Sequence, residues 1–199
     1  MNPENIYRFA ALFLLLTAVS ISITYRHKAA KSGEAINSKA EGGVILTLRS
    51  IFGLLGWLSA FIYLVNPGWM AWAQLPLPAW FRWIGAVIMA LCIPLVYWVF
   101  SSLGKNVTPT VVTRQAHTLV THGPYHWVRH PLYTVGFLLF TGFSLLAANW
   151  FIYTMLALAC VILMMRTPIE EQHLVDRFGD EYRQYMSRTG RYLPRIGSV

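Results

Sequence analysis

Two short polar segments hold most of the side chains in this chain that could do chemistry. Residues 117–133 read HTLVTHGPYHWVRHPLY and residues 166–171 read RTPIEE. Between them, residues 133–165 run 33 positions without a formal charge. Imidazoles, guanidiniums, phenols and a carboxylate pair are therefore set beside hydrocarbon, where polar side chains are costly and mark function. His122, His126 and His130 recur at four-residue spacing. On one helical face such a series could bind a metal or haem. Gly123-Pro124 and Pro131 punctuate the stretch, however, and it contains no carboxylate or thiolate. No metal is expected, and His122 and His126 read as interfacial residues with solvated tips.

The remaining polar groups suit a small ligand better. Pro131 is well placed to open a helix at its first position. Arg129, taken alone, reads equally well as a cation snorkelling to lipid phosphate. His130, Tyr133 and the Gly123-Pro124-Tyr125 turn together offer backbone and aromatic tips to a polar, ring-bearing ligand. Thr167-Pro168-Ile169-Glu170 has the pattern of a capping box, with Thr167 as cap and Glu170 reaching back to it. Arg166, four residues before Glu170, and Glu171 beside it also suit a ligand bearing both signs of charge.

The elements that must position these groups are read from hydropathy. The 199 residues are 56% hydrophobic and 12% charged, where a soluble domain carries about 25% charged residues. The net charge of +8 comes from basic residues lying between apolar runs, a membrane-topology pattern and not a nucleic-acid patch. Trp and Tyr near the ends of those runs fit an interfacial aromatic belt. Cys92 and Cys160 fall inside apolar runs and read as buried thiols. Residues 6–25, 47–65 and 80–100 are each long enough to span, the third expected to kink at Pro94. Basic residues follow the first run, which argues for a retained helix and against a cleaved signal. Residues 133–165 are short for two spans and long for one, and Asn149 marks a turn between two short helices. Leu174, Phe178, Tyr182 and Tyr185 give the tail an amphipathic helix, bent near Gly179.

The expected fold is an all-α integral membrane protein. It has five transmembrane helices, the last two forming a short helical hairpin, and a C-terminal amphipathic cytoplasmic helix. Residues 1–100 would supply three N-terminal helices and residues 101–199 the site. With the N-terminus outside and the C-terminus cytoplasmic, 14 of the 16 basic residues fall on the cytoplasmic side, Arg8 and Arg82 being the others. That bias sets the orientation and puts both polar segments on one face.

HTLVTHGPYHWVRHPLY, a charge-free helical run, then EE, FGDEYRQY and RYLP follow in order over residues 100–196. In this the chain resembles the isoprenylcysteine carboxyl methyltransferase family, whose RHPxY and EE framework is shared by phospholipid N-methyltransferases. The resemblance implies S-adenosylmethionine as cofactor. It would be contacted by His117, Thr118, Leu119, Val120, Tyr125, His130, Pro131, Leu132, Tyr133 and Glu170. Arg166 would face the substrate, and Arg166 and Glu170 would carry the catalysis. A family glutamine contact falls on Thr110 here and is not matched. The implied partners are a lipophilic, prenylcysteine-like acceptor and membrane lipid, with no nucleic acid and no metal. A carboxylate acceptor is ionised at neutral pH and needs alignment more than a base; Arg166 could hold it through paired hydrogen bonds. A phospholipid amine would instead need a base such as His126 or Glu171, and Arg166 would be a poor neighbour. A nicotinamide-dependent membrane reductase would want more basic residues than Arg114 and Arg129. A haem or purely structural membrane protein stands last.

Overall fold

A computed structural model of the chain describes residues 3–30, 43–104 and 118–195. His117, Thr110 and Arg114 lie outside them. Among the described residues seven α-helices follow one another: α1 Pro3–Ala30, α2 Gly43–Val65, α3 Ala79–Leu103, α4 Pro131–Ala147, α5 Trp150–Met165, α6 Thr167–Phe178 and α7 Asp180–Arg188. Short 3-10 turns occupy Pro67–Ala73 and Gly123–His126. Among the described residues β pairing is limited to two isolated bridges, Gln74 with Asn149 and Val128 with Gly190.

Among the described residues four helical stretches are long and apolar enough to cross a membrane: Glu4–Ala30, Gly43–Val65, Ala79–Leu103 and Trp150–Phe178. Pro131–Ala147 is apolar but shorter. Phe13, Leu54 and Leu91 point outward, as helices solvated by lipid require. The molecule is a helical membrane protein. α1 begins before and ends after the apolar run at 6–25, because Pro3 and Glu4 suit a helix start and His27 and Lys28 suit its end. α3 continues through Pro94 as one helix.

α3 and α4 make the most extensive helix contact, followed by α2 with α5 and α1 with α3. The close approach of α3 to α4 is made at Gly85 and Gly142. A Cβ on Gly85 would lie 2.5 Å from the Gly142 carbonyl oxygen and 2.6 Å from the Leu146 nitrogen. Both obstacles are backbone and cannot rotate away. Gly85→Ala is therefore expected to force the helices apart and to cost about 1–3 kcal/mol, read as a lowered melting temperature in detergent.

α4 and α5 are joined by Ala148 and Asn149. Ala148 takes the left-handed conformation at φ 51°. Asn149 caps α5 by accepting from the Ile152 amide, and its side-chain amide donates to the Met70 carbonyl. That end of the molecule also buries Arg82, which pairs through two nitrogens with Glu4 and donates to the Leu146 carbonyl at 2.9 Å. Arg82 is thus an internal tie between the starts of α1 and α3.

The capping box expected at Thr167 does not form. Arg166 keeps helical dihedrals (φ −77°, ψ −22°), so α5 runs into α6 with a single-residue interruption. Its carbonyl already accepts from the Ile169 and Glu170 amides, leaving those donors no need of a side-chain cap. Thr167 instead meets the Tyr192 hydroxyl at 2.7 Å. Gly179, at φ 58°, makes the bend between α6 and α7 that a side chain would oppose.

Candidate active site

The site is built where the starts of α4 and α6 meet residues 118–130 and a strap formed by residues 189–192. The strap pairs along the polar segment: the Arg129 amide donates to the Gly190 carbonyl at 2.9 Å, and the His130 amide to the Arg191 carbonyl at 3.0 Å. The Gly190 amide returns a bond to Trp127, and Thr134 donates to the Tyr192 carbonyl at 2.7 Å. Pro168 has no N–H to offer the carbonyl one turn back, that of Met164. The Tyr192 hydroxyl supplies it at 3.2 Å while also reaching Thr167. Tyr192→Phe should therefore strand two polar groups of the α5–α6 joint. A loss of about 1–3 kcal/mol, measured by thermal melts, is expected, with Tyr192→Trp no better.

Glu171 is the fastener beneath this strap. Its side chain is 4% exposed and accepts from Arg129 Nε at 2.8 Å, lies 3.3 Å from His130 Nε2, and accepts from Arg191 Nη2 at 2.5 Å. Arg129 further donates to the carbonyls of Met186 and Thr189. Arg129 thus does not snorkel: a carboxylate and two orphaned helix-end carbonyls within reach outcompete the membrane surface. The hydrogen bond to Glu171 raises the Arg191 guanidinium above its ordinary range, against the effect of burial. Glu171, expected beside Arg166, turns away to the strap.

Glu170 faces the other way. The Tyr133 hydroxyl donates to its Oε2 at 2.6 Å, and Arg166 Nη2 lies 3.7 Å from the same oxygen and 3.4 Å from the Tyr133 hydroxyl. Arg166 is buried, while the Glu170 side chain is 24% exposed. His130 stacks on Tyr133 with ring centroids 5.3 Å apart. Tyr125 is held beneath by a 2.6 Å bond from the Tyr185 hydroxyl to its carbonyl. Burial pushes the Tyr125 phenol well above its ordinary range. It raises Tyr185 to about 12 against the pull of Arg129, so both hydroxyls are neutral donors at physiological pH.

These groups open on a cavity of about 610 Å³. Of the residues singled out from the sequence, Leu119, Val120, Tyr125, His130, Leu132, Tyr133, Arg166 and Glu170 line it. Thr118 is exposed and Pro131 buried, and neither lies on the cavity wall. The three spaced histidines do not converge, because the segment is a 3-10 turn at Gly123–His126 followed by irregular backbone and not a continuous helix. His122 and His126 are exposed, whereas His130 is buried against Glu171. Among the described residues, no three or more of His, Cys, Asp and Glu come together as a metal-holding group.

Sequence reading missed the far wall. α1 contributes Leu15, Val19, Ser22 and Arg26, α2 contributes Arg49 and Trp57, and α5 contributes Cys160. The polar residues among these, Ser22 and Arg26 four apart on α1 and Arg49 on α2, are the signal that sequence reading passed over.

The model of one family, phospholipid methyltransferase, matches residues 80–181, just over half of the 199 residues. The chain belongs to the phospholipid methyltransferase family. The match holds α3 to α6, with Tyr125, His130, Tyr133, Arg166 and Glu170, but neither α1, α2 nor the 189–192 strap. The chain is 34% identical over 83 residues to a nickel-cobalt-cadmium resistance protein of Alcaligenes xylosoxydans xylosoxydans, covering 42% of this chain and 39% of that protein. It is 32% identical over 133 residues to the protein-S-isoprenylcysteine O-methyltransferase of Rattus norvegicus, covering 64% of this chain and 46% of the relative. The chain thus spans less than half the length of these curated relatives. Its fold is similar to that of a solved eukaryotic intramembrane Ras methyltransferase, isoprenylcysteine carboxyl methyltransferase. The TM-score is 0.57 at 23% identity, over 98% of this chain and 69% of that one.

Proposed function

We propose that this family member transfers a methyl group from S-adenosylmethionine to the carboxylate of a lipophilic acceptor of the prenylated-cysteine kind. One observation carries the reading: a single cavity joins the polar cluster of Tyr133, Arg166 and Glu170 to walls of membrane-spanning helix. The names of relatives that methylate isoprenylcysteine support it.

The residues fit such a cofactor. Glu170 turns a partly exposed carboxylate to the cavity, suited to an ammonium group, and Tyr125, Leu119 and Val120 give a buried, mostly apolar bed for a ring. When bound, S-adenosylmethionine supplies an electrophilic methyl group. The rest is positioning. Arg166, buried beside Tyr133, orients an acceptor carboxylate through charge-assisted hydrogen bonds. The Tyr133 hydroxyl touches both Glu170 and Arg166 and so ties the anionic and cationic groups of the site together. Burial among helices excludes water, and holding reactants aligned can contribute several kcal/mol. No general base is required for an ionised carboxylate.

In the same reading α1 to α5 are five spans, with the N-terminus outside and α6, α7 and the strap cytoplasmic. The distribution of basic residues supports that orientation. The test is transfer of labelled methyl from S-adenosylmethionine by the purified full chain, offered N-acetyl-S-farnesylcysteine or phosphatidylethanolamine. Base-labile label in the farnesylcysteine is expected. Label confined to the lipid amine would overturn the acceptor, and label in neither would overturn the activity on both.

A further inference from the structure

The strap runs on into a short loop whose depth is fixed by its partners. The Tyr192 carbonyl accepts from the Thr134 hydroxyl at 2.7 Å, and the Tyr192 hydroxyl donates to the Met164 carbonyl at 3.2 Å. Thr134 is the fourth residue of α4 and Met164 the last but one of α5, so both lie inside the charge-free run at 133–165. Thr134 stands about 4.5 Å along its helix from Pro131. Tyr192 is thus drawn to the level of the first apolar turn. Leu193 follows directly and is 71% exposed. An exposed leucine is ordinary on its own; this one is held out beside the ends of apolar helices.

The loop that presents Leu193 is closely built. A Cβ on Gly190 would collide with the Leu193 carbonyl oxygen and lie 3.2 Å from the Arg195 amide nitrogen, so the chain doubles back over that glycine. Arg195 Nη1 donates to the Ser187 carbonyl at 2.5 Å, which sets its guanidinium beside the backbone just before Arg188. Arg188 Nε donates to the Gln184 carbonyl at 3.4 Å. From Tyr182 to Arg195 the chain has four arginines and no acidic residue. Arg183 pairs with Asp180 and Arg191 with Glu171, whereas Arg188 and Arg195, both exposed, bond to main chain. Cations suit a helix C-terminus, but each of these bonds uses one of five guanidinium N–H donors.

We propose that residues 188–195 form a lipid-reading surface, in which Leu193 enters the edge of the hydrocarbon and Arg188 and Arg195 bind the phosphate of an anionic glycerophospholipid. An aliphatic tip flanked by guanidiniums suits the boundary between acyl chain and headgroup, and forked N–H donors match phosphate oxygens. Charge complementarity favours a headgroup with a net negative charge over a zwitterionic one. The surface needs little ordering to bind, because the Gly190 and Arg191 carbonyls are already held by the Arg129 and His130 amides. Those bonds also join the lipid contact to the polar segment of the cavity. The inference needs a membrane-spanning protein and does not rest on the proposed methyl transfer.

The test is photocrosslinking from the full chain carrying Leu193→p-benzoylphenylalanine, in nanodiscs of equal parts phosphatidylcholine and phosphatidylglycerol, with adducts read by intact-mass spectrometry. Lipid adducts are expected, phosphatidylglycerol exceeding phosphatidylcholine at least about five-fold, the worth of one arginine near an anionic surface. High salt should shrink that preference without removing the adducts, because screening acts on charge and not on insertion. Adding Arg188→Gln and Arg195→Gln should bring the two lipids to equal yield, and the corresponding double lysine variant should keep most of the preference. Absence of lipid adducts, or crosslinks into a second copy of the chain in their place, would overturn the lipid contact. Equal adducts in the arginine-bearing chain, a comparison that needs no arginine variant to fold, would overturn headgroup recognition. An undiminished preference in the glutamine variant would overturn the assignment to Arg188 and Arg195.

Discussion

Glu171→Ala should be the most destabilising single change at this site, lowering stability by about 3–5 kcal/mol. Magnitude follows from burial. Arg129, 9% exposed, loses the carboxylate that neutralises it, and His130 loses its partner as well. Arg191, 42% exposed, recovers water and adds little. For a chain of this length such a loss corresponds to a fall of about 6–20 °C in melting temperature, measurable by circular dichroism in detergent. The double variant Arg129→Met, Glu171→Met should recover much of it, because replacing both members of a buried pair removes the stranded charge. A Glu171→Ala protein that melts with the parent would show that the strap does not hold the polar segment in place.

Glu170→Ala is expected to do the opposite. Its carboxylate is a quarter exposed and its firm partner is one phenol, so the melting temperature should move by only a few degrees. Affinity for S-adenosylmethionine should fall at least about 30-fold, the lower end of what loss of one member of a hydrogen-bonded charge pair costs. Calorimetry on the purified chain checks it. Glu170→Gln keeps the shape and the bond from Tyr133 but not the charge, and should resemble the alanine variant. Affinity equal to the parent's in both would reduce Glu170 to a support for Tyr133. The two neighbouring carboxylates thus separate cleanly: one variant melts early, the other stays folded and fails to bind.

That division could not be read from the sequence. Neighbours on a helix point about 100° apart, and which of Glu170 and Glu171 faces the cavity is decided by Arg191 and Tyr192, some twenty residues further on. The same long-range strap explains why Arg129 looked like a lipid anchor and Thr167 like a helix cap. Both were judged on local pattern, and both are engaged by groups local pattern does not contain. The helical membrane architecture, by contrast, was legible, because lipid solvation demands long apolar runs and hydropathy reports them directly. So was the meeting of residues 119–133 with Arg166 and Glu170, since polar groups next to hydrocarbon have few places to go. α1 and α2 were silent for the complementary reason. Helices with apolar residues on every side give little periodic contrast between the face toward lipid and the face toward a cavity, and their scattered polar residues, Ser22, Arg26 and Arg49 among them, do not mark one face.

The strap has a consequence for how the protein is made. The groups that neutralise and pair Arg129 and His130 lie 41 to 61 positions further along the chain, from Glu171 to Arg191. At ordinary elongation rates of about 5–20 residues per second, the ribosome withholds Gly190 and Arg191 for roughly 3–12 s after Arg129 has been added. During that interval the first helices are available to the membrane while the polar segment carries a cation and an imidazole with no resident counter-charge. The cavity is therefore among the last parts of the molecule to close. A translation pause between α4 and α7 would leave an inserted but open protein.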